Sequence, residues 1–285
     1  MYLSHLIKKC MNRNICRRIS FSTQAQVQER LVYVDSQKIN YLKVGKGPKN
    51  IVCFPGALGT IWSDFKPQIE GLNKEEFTIF VWEQPGHGKS RPPERIFTSQ
   101  FFQEDADTGY KLVKALGLRS FSLLGWSDGG TAGLILAAKY PEVVEKLVVW
   151  GSNSYISTED FENYEKIQNI DSWSENAKAP LLELYGEKLL REIQNSVFEA
   201  NRAIVNQGGD ISSSLLKHIS CPTLILHGAK DPLVSLEHPL YLRDNIKGAK
   251  LHIFPEGKHN IHIRYAGEFN DITTKFLLGE DLSEL

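Results

Sequence analysis

The sequence is poor in cysteine and has no long apolar run. Its four cysteines form no Cys-x-x-Cys pair, so they predict neither a zinc site nor a disulfide framework. No stretch of 18 apolar residues is present, as a transmembrane helix would require. Lys and Arg number 33 against 34 Asp and Glu, which gives no basic excess of the kind that nucleic-acid binding needs. We therefore expect no membrane and no nucleic-acid partner.

Acidic residues are missing from the N-terminal segment, and Glu29 is the first carboxylate. A basic, Ser-containing and acid-free opening is typical of a mitochondrial presequence, whereas the 7–15-residue apolar core of a secretory signal is absent. The alternative is a disordered basic tail. We predict that residues 1–28 are a presequence and that the protein is mitochondrial. The cations of this segment are Lys8, Lys9, Arg13, Arg17 and Arg18.

The remaining chain alternates short apolar runs with helix-like stretches. Strand candidates are residues 31–34, 39–44, 51–54, 77–82, 121–124, 147–150, 223–226 and 251–254. They are β-branched or aromatic and are closed by Gly or Pro. Intervening stretches such as 99–116 and 131–140 are long enough for crossover helices. This order predicts an α/β fold with a mostly parallel sheet covered by helices on both faces.

Residues 154–216 interrupt this alternation, because they are polar and helix-like and contain no convincing strand. Leu182, Tyr185, Leu189 and Ile193 recur at helical spacing and predict one apolar face. We predict a helical cap over the carboxyl ends of the strands, inserted into a core of residues 29–153 and 217–285. The alternative is a surface excursion with no role at a site.

The strongest chemical signal is Gly-Trp-Ser-Asp-Gly at residues 125–129. It follows a predicted strand and precedes a predicted helix, which is the context of a Gly-x-Ser-x-Gly nucleophile elbow. Such a turn is too tight for bulky neighbours and projects the central side chain above the sheet. Ser127 is therefore the predicted nucleophile.

A serine hydroxyl needs a base and an orienting carboxylate, which follow in the order acid and then histidine in this type of fold. Asp231 follows the strand at 223–226, and His259 follows the strand at 251–254. We predict that Asp231 orients His259 and that His259 takes the proton of Ser127. Two competitors are His262, three residues after His259, and Glu256, which shares the histidine's loop.

An oxyanion needs backbone donors. The first candidate is the N–H of Asp128, at the start of a helix whose dipole favours negative charge. The second should come from the loop after the strand at 51–54, where Ala57 follows Gly56.

The side chain of Asp128 has two open interpretations. A carboxylate about 5–6 Å from a developing oxyanion repels it by roughly 3 kcal/mol at an effective dielectric near 20. A substrate ammonium bound to Asp128 would offset that repulsion and would select α-amino acid esters. Equally, Asp is common in the first turn of a helix for reasons of capping and dipole.

Glycine motifs for phosphate binding are missing. Gly88-Lys89-Ser90 lacks the first glycine of a phosphate-binding loop, because Glu83 occupies that position, and prolines follow where a helix should begin. No dinucleotide fingerprint follows the first strands. We expect no organic cofactor and no metal.

These motifs resemble the α/β-hydrolases, and the similarity runs from about Leu31 to Phe276. The similarity is strongest to a mitochondrial branch of the family, whose members hydrolyse α-amino acid esters. The resemblance implies a triad of Ser127, Asp231 and His259 and an amino-group site at Asp128. Two departures are Glu83-Gln84-Pro85 where the family has Asp-x-Arg, which puts a structural ion pair in doubt, and Ala57 in place of a larger Met, which changes the acyl pocket.

The sequence thus predicts a monomeric serine hydrolase that acts on a small ester with a free α-amino group. Two alternatives share the fold and the triad. One is a carbon–carbon bond hydrolase of ring-cleavage products, whose anionic substrates Asp128 would repel. The other is a ligand receptor with very slow turnover.

Overall fold

The structure, a computed structural model, describes residues 28–282. The predicted presequence, residues 1–28, therefore lies outside the described residues except for Gln28.

One sheet of eight strands organises the described chain, in the order β1-β2-β4-β3-β5-β6-β7-β8. β1 pairs antiparallel with β2 and β2 pairs antiparallel with β4, while every other pairing is parallel. The predicted α/β fold with a mostly parallel sheet is confirmed. The strands are β1 Glu29–Val34, β2 Gln37–Gly45, β3 Lys49–Phe54, β4 Phe77–Trp82, β5 Phe121–Trp126, β6 Val144–Trp150, β7 Thr223–Gly228 and β8 Lys250–Phe254.

Helices cover both faces of this sheet. The period-2 alternation of β3 sends Ile51 and Cys53 into one core cluster and Val52 and Phe54 into the other. Helices α1, α7 and α8 pack on the first face, and α2, α3 and α6 pack on the second. The helices are α1 Ile61–Gly71, α2 Phe101–Ala115, α3 Asp128–Lys139, α4 Thr158–Gln168, α5 Glu175–Asn206, α6 Glu237–Asn245, α7 Ile261–Arg264 and α8 Ala266–Leu278.

Between β6 and β7 the chain forms α4, α5 and two short 3₁₀ helices, Ile170–Ser172 and Ser213–His218. An isolated antiparallel bridge between Tyr155 and Asp210 brings the ends of this excursion together. The four residues predicted to form one apolar face, Leu182, Tyr185, Leu189 and Ile193, all pack in the same core cluster. The helix that carries them, α5, is broken at Gly186, where φ is 71° and ψ is 160°. Residues 154–216 stay our predicted bounds for a cap.

The strand order places two loops side by side at the carboxyl edge of the sheet. The order reverses between β3 and β5, so the loops that follow these two strands leave in different directions and open a crevice between them. Such a switch point is where ligands bind in open α/β sheets.

Close packing at the start of α3 generates a prediction about Gly129. A Cβ there would lie 2.2 Å from the carbonyl oxygens of both Phe54 and Pro55, whereas a Cβ at Gly267, in the first turn of α8, would meet nothing within 4 Å. We expect Gly129→Ala to lower the free energy of unfolding by about 3 kcal/mol. The control Gly267→Ala should raise it by about 0.5–1 kcal/mol, because Ala favours the helix. Urea denaturation measures both, and equal effects would contradict the packing described.

Candidate active site

Ser127 occupies a strained turn between β5 and α3. Its φ is 53° and its ψ is −125°, a conformation that costs a non-glycine residue about 1–3 kcal/mol. Its N–H donates to the carbonyl of Trp150 at 3.0 Å. The turn can close because residue 125 is glycine. A Cβ at this position would lie 2.6 Å from the Cα of Gly130 and would prevent the close approach. The side chain of Ser127 therefore projects from the sheet, as the elbow motif predicts.

His259 lies within hydrogen-bond distance of this serine. Its Nε2 is 3.0 Å from Ser127 Oγ, although the two residues are 132 positions apart. The imidazole comes from the loop after β8 and sits beside the backbone of Gly151. A Cβ at Gly151 would lie 2.9 Å from His259 Cε1, so only glycine leaves room for the ring.

Asp231 contacts the other imidazole nitrogen. Its Oδ2 is 2.8 Å from His259 Nδ1, and its Oδ1 accepts the N–H groups of Leu233 and Val234 at 2.9 and 3.1 Å. Burial by itself would raise the pKa of Asp231, but the hydrogen bond and charge of His259 and the two N–H groups hold that pKa below its usual value. An ionised carboxylate only accepts, so Nδ1 carries the proton and Nε2 is free to accept one from Ser127.

The two competing assignments are not supported by the geometry. His262 is fully buried, and its Nδ1 accepts from Trp150 Nε1 at 2.9 Å. Burial lowers the pKa of His262 to about 3, so its ring stays neutral at physiological pH. Glu256 pairs with Lys230 at the surface. The structure thus gives His262 a packing role and places Glu256 in a different contact from the one that Asp231 makes.

The loop after β3 lies against Ser127, since a Cβ at Gly56 would be 3.3 Å from the Cβ of Ser127. The N–H of Gly56 is engaged, because it donates to Asp64 Oδ2 at 2.9 Å. Ala57 lines the same pocket as Ser127. Asp128 begins α3, so its N–H has no acceptor within the helix. The N–H groups of Ala57 and Asp128 are the candidate oxyanion donors.

A pocket with a cavity volume of about 120 Å³ adjoins Ser127 and His259. Both the sheet edge and helices α4 and α5 contribute to its walls. The apolar lining includes Phe102, Ile156, Ile167, Val197, Phe198 and Val234, and the polar lining includes Asn153, Tyr164, Gln194 and Asn201.

Asp128 also lines this pocket, next to the nucleophile. Burial raises the pKa of Asp128 to about 7, and the nearby carboxylate of Asp105 adds to the rise. The charges of His259 and Arg95 act in the opposite direction. Arg95 is paired with Asp105, with Nη1 at 2.6 Å from Oδ1. The carboxyl group of Asp128 is therefore held near the point where it gains or loses its charge at neutral pH.

Sequence reasoning missed the Arg95–Asp105 pair behind Asp128. A signal for Asp105 was present, because it falls on the buried face of α2, among otherwise apolar or small residues. A carboxylate at such a position requires a partner. Arg95 lies in an irregular loop, where no periodic pattern marks it.

Residues 83–90 depart from the family's Asp-x-Arg pattern. Here hydrogen bonds take the place of the ion pair that this pattern would form. Glu83 is buried and accepts from Asn40 Nδ2 at 3.0 Å and from the N–H of Lys89 at 2.6 Å. Within residues 28–282 it makes no ion pair. The loop itself is a series of turns, with Ser90 N–H donating to the carbonyl of His87 at 2.8 Å, and no helix begins there.

Two types of feature are absent from the described part of the chain. No group of three or more His, Cys, Asp or Glu side chains there is arranged to hold a metal ion. None of its helices combines the length and the apolar character needed to cross a membrane.

Comparison with known proteins identifies the family. Serine hydrolase BPHL of Mus musculus is 44% identical over 247 residues, covering 86% of this chain and 85% of the mouse protein. The human Serine hydrolase BPHL is 42% identical over the same coverage. A family model described as the alpha/beta hydrolase fold matches residues 49–166. The chain belongs to the α/β-hydrolase family. It is a serine hydrolase similar to the mammalian BPHL proteins.

A solved structure supports the same fold. A meta-cleavage product hydrolase from Pseudomonas fluorescens superposes with a TM-score of 0.73 and 20% sequence identity, covering 89% of this chain and 98% of that one. At this identity the similarity concerns the fold alone.

The two neighbouring histidines should respond differently to substitution. We expect His259→Gln to lower kcat at least about 1000-fold with little change in the free energy of unfolding, because the ring lies at the pocket. His262→Leu should lower the free energy of unfolding by about 1–3 kcal/mol, because Trp150 Nε1 loses its buried acceptor. Ester-hydrolysis kinetics and urea denaturation of both variants test this, and a reversal of the two phenotypes would mean that His262 is the base.

Proposed function

We propose that this serine hydrolase cleaves carboxylic esters of α-amino acids through an acyl-enzyme intermediate. The observation that carries the proposal is the position of Asp128, which lines the same pocket as Ser127 and His259. An acidic side chain there gives a cationic substrate group a partner within reach of the nucleophile.

Acylation begins when Ser127 Oγ attacks the ester carbonyl while His259 Nε2 accepts its proton. Asp231 stabilises the imidazolium and keeps Nδ1 protonated. The N–H groups of Ala57 and Asp128 donate to the negatively charged oxygen of the tetrahedral intermediate. The intermediate collapses as His259 protonates the leaving alcohol, and the acyl group remains on Ser127.

Deacylation repeats these steps with water as the nucleophile. His259 removes a proton from the water as it attacks the acyl carbonyl, and a second tetrahedral intermediate forms against the same two N–H groups. Its collapse returns the proton to Ser127 and releases the amino acid. All groups needed for both steps belong to the chain itself.

Asp128 would hold the substrate's α-ammonium. The ammonium and the carbonyl carbon of an α-amino ester are separated by one carbon atom, so a group bound beside the nucleophile positions the reacting carbonyl directly. The ammonium also offsets the repulsion between Asp128 and the oxyanion. The apolar wall formed by side chains such as Ile156 and Val197 suits an aliphatic or aromatic acyl side chain.

The carbon–carbon bond hydrolase is the second candidate, because it would use the same fold and the same three residues, Ser127, Asp231 and His259. Ring-cleavage products are anionic, and an ionised Asp128 would repel them. A ligand receptor on the same fold is the third candidate, and fast turnover of any ester would exclude it.

We also propose that the protein is mitochondrial and monomeric. The support for the location is the basic, acid-free composition of residues 1–28. The proposed activity requires no second copy of the chain, since Ser127, His259 and Asp231 contact one another within one chain.

A pair of substrates tests the role of Asp128. We expect valine methyl ester to be hydrolysed with a kcat/KM about 100-fold above that of N-acetylvaline methyl ester, because acetylation removes the charge that Asp128 binds. In Asp128→Asn, which keeps the backbone N–H, the two values should differ by less than about threefold. Equal kcat/KM values for the two esters in the wild-type enzyme would refute the ammonium site while leaving the triad intact.

The same ratio should depend on pH. Asp128 has a pKa of about 7, so it becomes neutral as the pH falls through 7, whereas an α-amino group is already protonated below about 7.7. We expect the ratio of the two kcat/KM values to fall about tenfold or more between pH 7.5 and 5.5. Titration of His259 affects both esters and cancels in the ratio. A ratio that stays constant over this range would contradict the assignment.

A further inference from the structure

The loop that carries Ala57 contains a strained residue. Leu58 has a φ of 61°, in the left-handed region that favours glycine. A hydrogen bond of 3.1 Å from Gly59 N–H to the Gly56 carbonyl makes Ala57 and Leu58 the two central residues of a tight turn. The Gly59 N–H belongs to the same peptide unit as the Leu58 carbonyl, and the Gly56 carbonyl belongs to the same peptide unit as the Ala57 N–H. A contact that holds the Leu58 carbonyl therefore acts on the Ala57 N–H through this turn hydrogen bond.

The hydroxyl of Tyr185 makes such a contact. It donates to the carbonyl oxygen of Leu58 at 3.0 Å and accepts the N–H of Gly88 at 3.2 Å. Tyr185 belongs to α5, in the predicted cap, and is 127 positions from Leu58. One side chain therefore joins the cap, the loop after β3 and the loop after β4.

The ring of Tyr185 is held in place. The side chain is buried, with 7% of its surface exposed. The guanidinium of Arg91 lies 4.6 Å from the ring centroid, and Arg91 Nη2 donates to the carbonyl of Leu184 at 3.2 Å. The break in α5 at Gly186 comes directly after Tyr185. Burial raises the pKa of Tyr185 to about 12, so its hydroxyl stays protonated and can donate.

The other side of the turn is fixed by the core. Asp64, in α1, accepts the N–H of Gly56 at 2.9 Å. Ala57 is thus flanked by one residue held by the core through Asp64 and one residue held by the cap through Tyr185. Ala57 itself lines the pocket together with Ser127.

We propose that Tyr185 is a positioning residue that sets the oxyanion hole from the cap, by holding Leu58 so that the Ala57 N–H points at the oxyanion. The inference rests on the proposed function, in which Ala57 supplies one of the two donors. Tyr185 is absent from the pocket lining and acts through Leu58. The cap therefore has a second role besides shaping the acyl pocket. Its position on the core determines how well the oxyanion hole stabilises the transition state.

Tyr185→Phe tests the proposal, since it removes one oxygen atom and keeps the ring that stacks on Arg91. The matched control is Tyr33→Phe, which makes the same change at a side chain that is 70% exposed on β1. Hydrolysis of p-nitrophenyl acetate is the assay, because this ester has no amino group and the result does not depend on an ammonium bound to the Asp128 carboxylate. Loss of a whole oxyanion donor costs about 100- to 1000-fold in kcat, and misalignment of one should cost about tenfold.

The supporting result is a roughly tenfold fall in kcat for Tyr185→Phe, with KM within twofold of wild type and with Tyr33→Phe unchanged. A second readout is the inhibition constant of phenylboronic acid, whose serine adduct places an oxygen in the oxyanion hole. It should rise by about the same factor as kcat falls. A merely structural role of Tyr185 would not couple these two values.

The proposal is overturned if kcat of Tyr185→Phe stays within twofold of wild type, or if only KM changes. Ser127→Ala in the same assay separates this failure from failure of the proposed function, since activity retained in that variant would refute the nucleophile. If Tyr185→Phe does not fold, Arg91→Gln gives the answer. It keeps the hydroxyl and frees the ring, and we expect a two- to fivefold fall in kcat with constant KM. An unchanged kcat in this variant would also overturn the proposal.

Discussion

The candidate site depends on the backbone of Ser127, which the fold holds in a conformation that the residue would not adopt alone. The turn is tight enough to bring β5 into α3 within one residue, and the glycines around it are required by contacts rather than by flexibility. Its consequence is geometric. The hydroxyl stands above the carboxyl edge of the sheet, where the loops after β3, β7 and β8 also lie. The loop after β8 places His259 against Ser127, and the loop after β7 places Asp231 against His259. The cost of the turn, about 1–3 kcal/mol, is small compared with the burial of the sheet that imposes it.

Buried carboxyl groups are the second theme of this edge of the sheet. Burial raises the pKa of Asp64 and of Asp128 to about 7 and that of Asp105 to about 6. The largest cause in each case is burial, which disfavours the charged form of the carboxyl group. A cation bound to Asp128 would favour its ionised form, and this is the interaction on which the proposed α-ammonium site depends.

Much of the fold and part of the site could be predicted from the sequence, for identifiable reasons. The eight strands are short apolar runs with clear ends, and Ser127, Asp231 and His259 each follow one of them, so the rule that sites form at carboxyl ends of parallel strands was enough to group them. The structure places these three within hydrogen-bond distance, while their catalytic roles stay a prediction. Leu58 and Tyr185 could not be paired in advance. Their contact depends on how the cap sits on the core, which no local pattern specifies.

The break at Gly186 illustrates the same limit. Apolar spacing predicted one apolar face without indicating the break, because periodicity does not reveal a change of backbone direction between two segments that are each helical. The break matters, since it follows the residue that contacts the oxyanion loop. Local sequence thus indicates which residues form the candidate site, and tertiary packing determines how those residues are aligned.

Covalent labelling with a fluorophosphonate tests the central claim most directly, because the reagent reacts preferentially with a serine that a base has activated. The account predicts a single adduct in the intact mass of the wild-type protein, mapped to Ser127 by peptide sequencing and absent from Ser127→Ala. An adduct on another residue, or labelling that persists in Ser127→Ala, would contradict it.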